Sequence, residues 1–288
     1  MASVGVMTDA DGMKRTSTVE EFTGLLQPGD VVLYDTRSPI GGLVQWTDRA
    51  PVNHATIMLD EKQTLEAYLP DDPEHEPHVH LIGIEEMLGL DFHSAIALRH
   101  VEIAKDAGRA EGVVRNIQRY LSRGDKFTTV DLILLGPAAL RRSGYAHDDH
   151  LPKLPMQVVM WALNSFFRAA LEKVPAGPEQ VFCSELVFRC LVEDGTGLDV
   201  QVLDPITDEH LAPSADGLGP WGEATLLDEA ACWEALQDKV ADPAAGGPEL
   251  LEGVRADFVT PGDLWRSPDL QPVAHYQWPP RKKAPSEP

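Results

Sequence analysis

The sequence lacks the patterns that mark disulfide-rich, zinc-binding and nucleotide-binding proteins. Three cysteines occur in 288 residues, and two of them, Cys183 and Cys190, lie on one predicted helix about 10 Å apart along its axis, too far for a disulfide. No CxxC or Cys/His zinc spacing is present. The patterns GxxxxGK[ST], GxGxxG and GxSxG are also missing, which removes support for a nucleotide-binding loop or a serine hydrolase. We therefore expect reduced thiols and neither a metal nor an organic cofactor.

Long hydrophobic runs and positive charge are scarce as well. No apolar run reaches the roughly 18 residues of a membrane helix, and Met1–Arg15 lacks the apolar core of a signal peptide. We expect a cytoplasmic protein without integral membrane association. The 24 lysines and arginines are outnumbered by 46 acidic residues, which gives a net charge of −22 and argues against a nucleic-acid partner. The sequence leaves the oligomeric state open.

What is present is the composition of a globular protein, with 43% hydrophobic and 24% charged residues. The chain is long enough to bury a sizeable core in one large domain. We expect a polar lead-in with one short helix over residues 1–24, a single domain over 25–270 and a flexible tail over 271–288. The Gly-, Pro- and Asp-rich stretch 195–250 is interpreted as an insertion that decorates this domain.

Hydrophobic patterning predicts the secondary structure in outline. Strands are predicted over Val31–Tyr34, His54–Leu59, Thr64–Leu69 and Ser94–Ile103, and a polar turn joins the middle two into a hairpin. Residues 70–80, rich in Pro, Asp, Glu and His, are predicted to form a surface loop. Helices are predicted over residues 39–49, 84–90, 106–123, 128–142 and 156–173, and from Cys183 to about Glu193.

Cys183 is the first candidate for chemistry. It follows a short apolar, strand-like approach and opens a predicted helix, where unsatisfied backbone N–H groups and the helix dipole favour an anion. A thiol so placed can ionise well below its ordinary pKa of about 8.5 and become a nucleophile. A lone cysteine is more often a small buried hydrophobic residue, and Cys190, in the middle of the same helix, is interpreted in that way.

His54 and Glu66 are the second and third candidates. His54 begins a buried strand, and Glu66 lies on the next strand, where Leu65 and Ala67 point to the opposite face. A histidine base and a carboxylate that orients it are the partners that an active thiol needs. A glutamate in such a position is also common as an outward, solvated residue.

The remaining histidines give weaker signals. Six of them lie in loops or polar contexts and are predicted to be exposed: His75, His78, His80, His93, His100 and His147. The segment His147–His150 has a spacing that could hold a metal, but glycine and proline bracket it. It is interpreted as a surface loop.

Five segments together resemble the permuted papain-like amidases of the NlpC superfamily, of the YaeF/YiiX type. The segments are Pro28–Val32, Asn53–Ile57, Glu66–Ala67, Phe182–Val187 and Val259–Leu264. In that branch the histidine precedes the cysteine, the reverse of the order in ordinary papain-like enzymes, and the same reversed order occurs here. The likeness is sharp in these blocks and diffuse over residues 25–270. The family commonly has tyrosine before the cysteine, where this chain has Phe182.

The resemblance implies an α+β fold, a circularly permuted papain-like domain in which an antiparallel sheet packs against helices and the nucleophile lies at a helix N-terminus. By position, Cys183 would be the nucleophile, His54 the base and Glu66 the residue that orients the base. Five further residues are candidates for substrate binding: Tyr34, Arg37, Trp46, Gln180 and Phe182. Tyr34 and Gln180 are also candidates for a second oxyanion donor beside the backbone N–H of Cys183.

The function predicted from these residues and this resemblance is a cysteine hydrolase. It would cleave a peptide, isopeptide or acyl-amide bond through a thioacyl-enzyme intermediate, with a small peptide or acyl-amide as its substrate. Two alternatives stay open. One is a lipid acyltransferase or thioesterase of the lecithin:retinol acyltransferase-like branch, and the other is a non-catalytic peptide- or amino-acid-binding module on the same fold.

Overall fold

The structure is a computed structural model that describes residues 7–8, 13–37, 39–68, 78–90, 92–124, 126–127, 142, 180–193, 195–205, 250–251 and 254–278. Its strands are β1 (Met7–Thr8), β2 (Lys14–Thr16), β3 (Val31–Thr36), β4 (His54–Met58), β5 (Gln63–Tyr68), β6 (His78–Gly83), β7 (Phe92–His100), β8 (Lys126–Phe127), β9 (Gln180–Val181), β10 (Leu250–Leu251), β11 (Val254–Arg255) and β12 (Leu270–Gln277). Its helices are α1 (Val19–Thr23), α2 (Pro39–Asp48), α3 (Ile84–Leu88), α4 (Val101–Lys105), α5 (Ala110–Arg123), α6 (Cys183–Val192) and α7 (Pro261–Arg266), with 3-10 turns at Ala107–Arg109 and Ala256–Phe258.

An eight-stranded sheet in the order β1-β2-β12-β7-β3-β4-β5-β6 organises the fold. Neighbouring strands pair antiparallel, except that β12 and β2 pair parallel. The fold is α+β, as predicted, but the sheet is mixed rather than purely antiparallel. The parallel pair arises because the chain adds its last described strand between β2 and β7.

Two hydrophobic cores lie on opposite faces of this sheet, because successive side chains of a strand point to opposite sides. Val31 and Leu33 of β3 pack toward the side that carries α5 and α6. Val32 and Tyr34, the alternate residues, pack toward the side that carries α1 and α3. Full burial of an aliphatic side chain contributes about 1.5–3 kcal/mol, so both layers hold the central strands in place.

Helix α6 begins abruptly after the short strand β9. Phe182 has an extended backbone with φ −108° and ends the strand-like approach, and Cys183 is the first helical residue. The carboxylate of Glu185 turns back and accepts a hydrogen bond from the N–H of Phe182 at 3.4 Å. The same side chain accepts from Arg189 Nε at 2.8 Å, one turn later. Glu185 is thus neutralised by its own helix.

Most of the predicted elements in the described residues are present. The strand after Gly29, the hairpin of β4 and β5, and the helices α2, α3, α5 and α6 all lie where the patterns place them. The strand predicted over Ser94–Ile103 is shifted. It begins at Phe92 and ends at His100, whose side chain caps α4 by accepting from the N–H of Glu102 at 3.1 Å. The predicted helices over 128–142 and 156–173 lie outside the described residues, apart from Arg142.

Three predicted irregular regions contain ordered structure. Residues 78–80, assigned to a surface loop, form the start of β6 because they alternate across the sheet and pair with β5. Residues 271–277, assigned to the tail, belong to β12. The lead-in over 1–24 contains α1, which confirms the short helix predicted there, and it also contributes β1 and β2.

The start of the predicted insertion 195–250 is also part of the core. Leu198, Val200 and Val202 are buried against it. Residues 206–249 lie outside the described residues.

A buried ion cluster ties α2 to α7. Asp48, the last residue of α2, lies 2.7 Å from Arg142 and 3.0 Å from Arg266. Asp263, in the first turn of α7, lies 2.9 Å from Arg142. Asp48 also accepts the N–H of Gly262 at 2.7 Å, and a Cβ at that glycine would come within 2.1 Å of the same carboxylate. Glycine is therefore required there by the close approach.

Asp48→Asn tests this cluster, since it keeps the side chain's shape but removes a counter-charge from the buried Arg142. Asp263 still pairs with Arg142 in this variant, so we expect the free energy of unfolding to fall by about 1.5–3 kcal/mol, the size of a hydrogen bond to a charged group. Urea denaturation followed by circular dichroism measures this change. Glu102→Gln in the exposed Glu102–Lys105 pair is the control and should leave the midpoint unchanged. A wild-type midpoint for Asp48→Asn would contradict the structural role of the cluster.

Candidate active site

The structure brings Cys183 and His54 together although 128 residues of chain separate them in the sequence. Cys183 is the first residue of α6, and His54 is the first residue of β4. Helix α6 packs against β4 and β5, and the Cys183 thiol and the His54 ring are hydrogen-bond partners. Both residues begin their elements, so the two side chains meet at one end of the packed layers.

The Cys183 sulfur lies where β4 and β5 separate. The paired register between these strands ends at Ile57 and Leu65. The N–H of Met58 donates toward β3, so the N–H of Ala55, three residues earlier, points toward β5. Because Ala55 lies beyond the paired register, its N–H is available to the sulfur of Cys183, to which it donates. The backbone N–H of Ser184 donates to the same sulfur.

Glu66 completes a row of three side chains. Its Oε1 lies 3.2 Å from Nε2 of His54, which leaves Nδ1 as the ring nitrogen for Cys183. Glu66 is 7% exposed and His54 17% exposed at the side chain, so the contact lies in a site with little water. The carboxylate can therefore fix the orientation of the ring and stabilise its charged form. The alternative of an outward, solvated glutamate does not hold for this residue.

Electrostatics in this row favour a thiolate and an imidazolium. Burial lowers the pKa of His54, but attraction to the Cys183 thiolate, together with hydrogen bonds to Cys183 and Glu66, raises that pKa to about 10. Burial raises the pKa of Cys183, but attraction to His54, their hydrogen bond and the amides of Ala55 and Ser184 bring it below its ordinary value. A thiolate is the nucleophilic form of cysteine.

Cys190 behaves in the opposite way on the same helix. It is fully buried in the hydrophobic core. Burial raises the pKa of its thiol well above the ordinary value, and the nearby Glu193 raises it further. Both thiols are free, so their difference comes from the surroundings alone.

The five candidate substrate-binding residues lie in different environments, and their contact with a substrate stays a prediction. Tyr34 is fully buried and its ring centroid lies 5.9 Å from that of His54, so in this structure it packs against the imidazole. Phe182 is also buried. Arg37 donates from Nε to His93 Nδ1 at 3.2 Å. Trp46 of α2 is half-buried, and Gln180 lies on β9 with a side chain outside the described ones.

Sequence reasoning missed two participants at this site. The N–H of Ala55 is a backbone group, and no residue type could reveal its direction. His80, predicted to be exposed, is half-buried on β6 and lies 3.8 Å from Glu66. The alternation of His78 and His80 with apolar residues is a strand signal that could have placed it. His100, also predicted to be exposed, is 2% exposed and contacts the backbone carbonyl of Asp199 at 2.7 Å.

The part of the chain that the structure describes contains no cluster of side chains arranged as a metal-binding site. Within those ranges, no group of three or more His, Cys, Asp or Glu side chains is placed to hold an ion. The segment His147–His150 lies outside them. Among the described helices, none is both long and apolar enough to cross a membrane.

Comparisons with known proteins give little sequence similarity. No protein-family model matches the chain, and no curated protein matches it. Among solved structures, the crystal structure of the metalloprotein YiiX from Escherichia coli O157:H7, with the designation DUF1105, is similar at 12% sequence identity and a TM-score of 0.38. The match covers 88% of this chain and 98% of that chain. Values this low establish neither a permuted papain-like fold nor the chemistry of the site.

Alkylation by iodoacetamide tests the electrostatics of the row. At pH 7 we expect Cys183 to react much faster than Cys190, because only the thiol of Cys183 has a lowered pKa. His54→Ala removes the imidazolium that lowers this pKa, so labelling of Cys183 at pH 7 should fall about tenfold or more, since each pKa unit is a factor of ten. Peptide mapping by mass spectrometry separates the thiols.

The control for this experiment is His93→Ala, which removes an exposed imidazole that is not on β4. It should leave the labelling rate of Cys183 unchanged. Equal, slow labelling of Cys183 and Cys190 in the wild-type protein would contradict the thiolate.

Proposed function

We propose that the chain is a cysteine hydrolase that cleaves an amide bond through a thioacyl-enzyme intermediate. The observation that carries the proposal is the hydrogen-bonded row of Cys183, His54 and Glu66, with the thiol on the first residue of a helix. A nucleophile, a base within hydrogen-bond reach and a group that orients the base are the three parts that covalent catalysis requires.

In the first step the Cys183 thiolate attacks the carbonyl carbon of the substrate, and a C–S bond forms. The tetrahedral oxyanion that results needs hydrogen-bond donors. The backbone N–H of Cys183 is one of the first N–H groups of α6, which have no partner within the helix. The positive end of the helix dipole supports the same charge.

In the second step the His54 imidazolium gives its proton to the leaving amine, the C–N bond breaks and a thioester remains on Cys183. Neutral His54 then takes a proton from water, and the hydroxide attacks the thioester. The acid is released and the thiolate–imidazolium pair is restored. Glu66 keeps the ring in one orientation throughout, so that one nitrogen carries out both proton transfers.

The first prediction from this mechanism concerns the intermediate. A panel of peptide, isopeptide and acyl-amide probes should contain at least one that the wild-type protein cleaves and Cys183→Ala does not. When the reaction with that probe at neutral pH is quenched in acid, which slows hydrolysis of the thioester, mass spectrometry should find an acyl group on the peptide that contains Cys183. Cys190→Ala is the matched control and should retain both signals.

Binding of probes without turnover or acyl transfer to Cys183 would instead favour the non-catalytic binding module. Acyl transfer from a lipid to an amine acceptor, in place of water, would favour the acyltransferase alternative. Either result would overturn hydrolysis as the reaction.

The second prediction concerns the alkaline limb of the pH profile. The raised pKa of His54 means that the imidazolium, the proton donor to the leaving amine, is present below about pH 10 and is lost above it. Amide hydrolysis should therefore fall as pH rises through about 10. Alkylation of Cys183 needs no proton donor and should stay fast there. Glu66→Gln removes one cause of the raised pKa of His54. The alkaline limb of hydrolysis in this variant should therefore shift to lower pH than in the wild-type protein. Identical alkaline limbs in the two proteins would refute this role of Glu66.

A further inference from the structure

Glu66 is faced by a second imidazole, that of His80. Strands β5 and β6 pair in a register that sets Glu66 directly opposite His80, and directly opposite side chains of an antiparallel pair interact. Nε2 of His80 lies 3.8 Å from Oε2 of Glu66, whereas Oε1 is the oxygen that contacts His54. Each oxygen of one carboxylate thus faces a different histidine.

The row extends across four neighbouring strands on one face of the sheet. It runs from Tyr34 on β3 through His54 on β4 and Glu66 on β5 to His80 on β6. Within the row, the side chain at the sheet edge is the most exposed. Tyr34 is fully buried, and the side chain of His80 is 28% exposed. His80 is therefore the member of the row that can exchange a proton with solvent most readily.

We propose that His80 is a positioning residue that holds the Glu66 carboxylate toward His54 while it is neutral and weakens that hold when it becomes protonated. The proposal rests on the proposed function, because it assigns His80 a part in forming the same thiolate–imidazolium pair. His80 acts through Glu66 and touches neither the substrate nor the sulfur. At 3.8 Å the contact between Nε2 of His80 and Oε2 of Glu66 is longer than a hydrogen bond, so neutral His80 acts by filling the space beside the carboxylate and restricting its rotation.

A protonated His80 has the opposite effect on the pair. Its positive charge competes with the His54 imidazolium for the charge of Glu66, and the two cations repel each other across the carboxylate. Charges a few ångströms apart interact strongly when they are partly buried. Because coupling between two sites is reciprocal, the imidazolium of His54 also disfavours a proton on His80. Acid should therefore reduce the thiolate of Cys183 through two protonation events rather than one.

Charged and titratable groups around His80 fit this role. Burial lowers the pKa of His80 below the ordinary value. Glu66 of β5 and Glu86 of α3 raise this pKa, and the neighbouring His78 lowers it. The ring of His78 has its centroid 4.9 Å from that of His80. Helix α5 also contacts β6 but packs on the opposite face of the sheet. At neutral pH the balance leaves His80 uncharged.

The test is the rate of alkylation of Cys183 by iodoacetamide between pH 4 and 8, in the full-length protein. In the wild-type protein the acid limb should be steeper than one protonation allows. His80→Gln keeps a neutral side chain but cannot become charged. Its rate at pH 7 should stay within about twofold of wild type, and its acid limb should follow a single protonation.

His80→Leu also keeps a neutral side chain beside Glu66, so its acid limb should follow a single protonation, as in His80→Gln. His78→Gln is the matched control, an exposed histidine on the same strand whose register partner is Tyr68. It should retain the wild-type rate at pH 7 and an equally steep acid limb, displaced toward higher pH because His78 lowers the pKa of His80. Labelling of Cys190 reports unfolding in any variant. If Cys190 is labelled in His80→Leu, the pH profile of His80→Gln decides whether His80 has the proposed role.

Two results overturn the inference about His80 alone. One is an acid limb in His80→Gln as steep as in the wild type. The other is a loss of steepness in His78→Gln equal to that in His80→Gln. In both cases the proposed function stands if Cys183 is still labelled fast in the wild-type protein and slowly in His54→Ala. Slow labelling of Cys183 in the wild-type protein would instead overturn the proposed function itself.

Discussion

The contact between the Cys183 sulfur and the His54 ring is the interaction on which the proposed chemistry depends. A buried thiolate alone is unfavourable, and so is a buried imidazolium, because each loses its hydration. Side by side, each charge offsets the burial of the other, which is why the pKa of Cys183 is lowered and that of His54 is raised. Cys190 has a raised pKa, because its burial and the charge of Glu193 outweigh the attraction of Arg119.

The fold brings Cys183 and His54 together because α6 packs on the sheet next to the point where β4 and β5 separate. Helix α6 is buried over nearly all of its length, so its first residue has little freedom to move away from β4. The end of the paired register between β4 and β5 exposes the N–H of Ala55 to the sulfur. Glu66 spans the same opening to reach His54. A single local feature of the sheet thus brings Cys183, His54 and Glu66 into contact.

Much of the site was predictable from the sequence, because its residues lie at the starts of helices and strands that local patterns predict. Cys183 follows an apolar approach and opens a helix, and His54 opens an apolar strand, so each has a local signal. The hairpin that carries Glu66 is equally local. His80 was not found, because the polar residues before it resemble a loop and its strand exists through pairing with β5. β12 was missed for the same reason, since its place between β2 and β7 is a property of the assembled sheet.

The sequence by itself determined the residue types, the α+β pattern, the start of α6 and the order of histidine before cysteine. These follow from hydrophobic periodicity and from backbone preferences that act over a few residues. Only the tertiary structure decided which of the histidines meets the sulfur, that Glu66 is buried rather than solvated, and that two imidazoles share its carboxylate. Those facts depend on strand register and on packing between distant segments. Burial and neighbouring charge, which set a pKa, exist only once those segments are in contact.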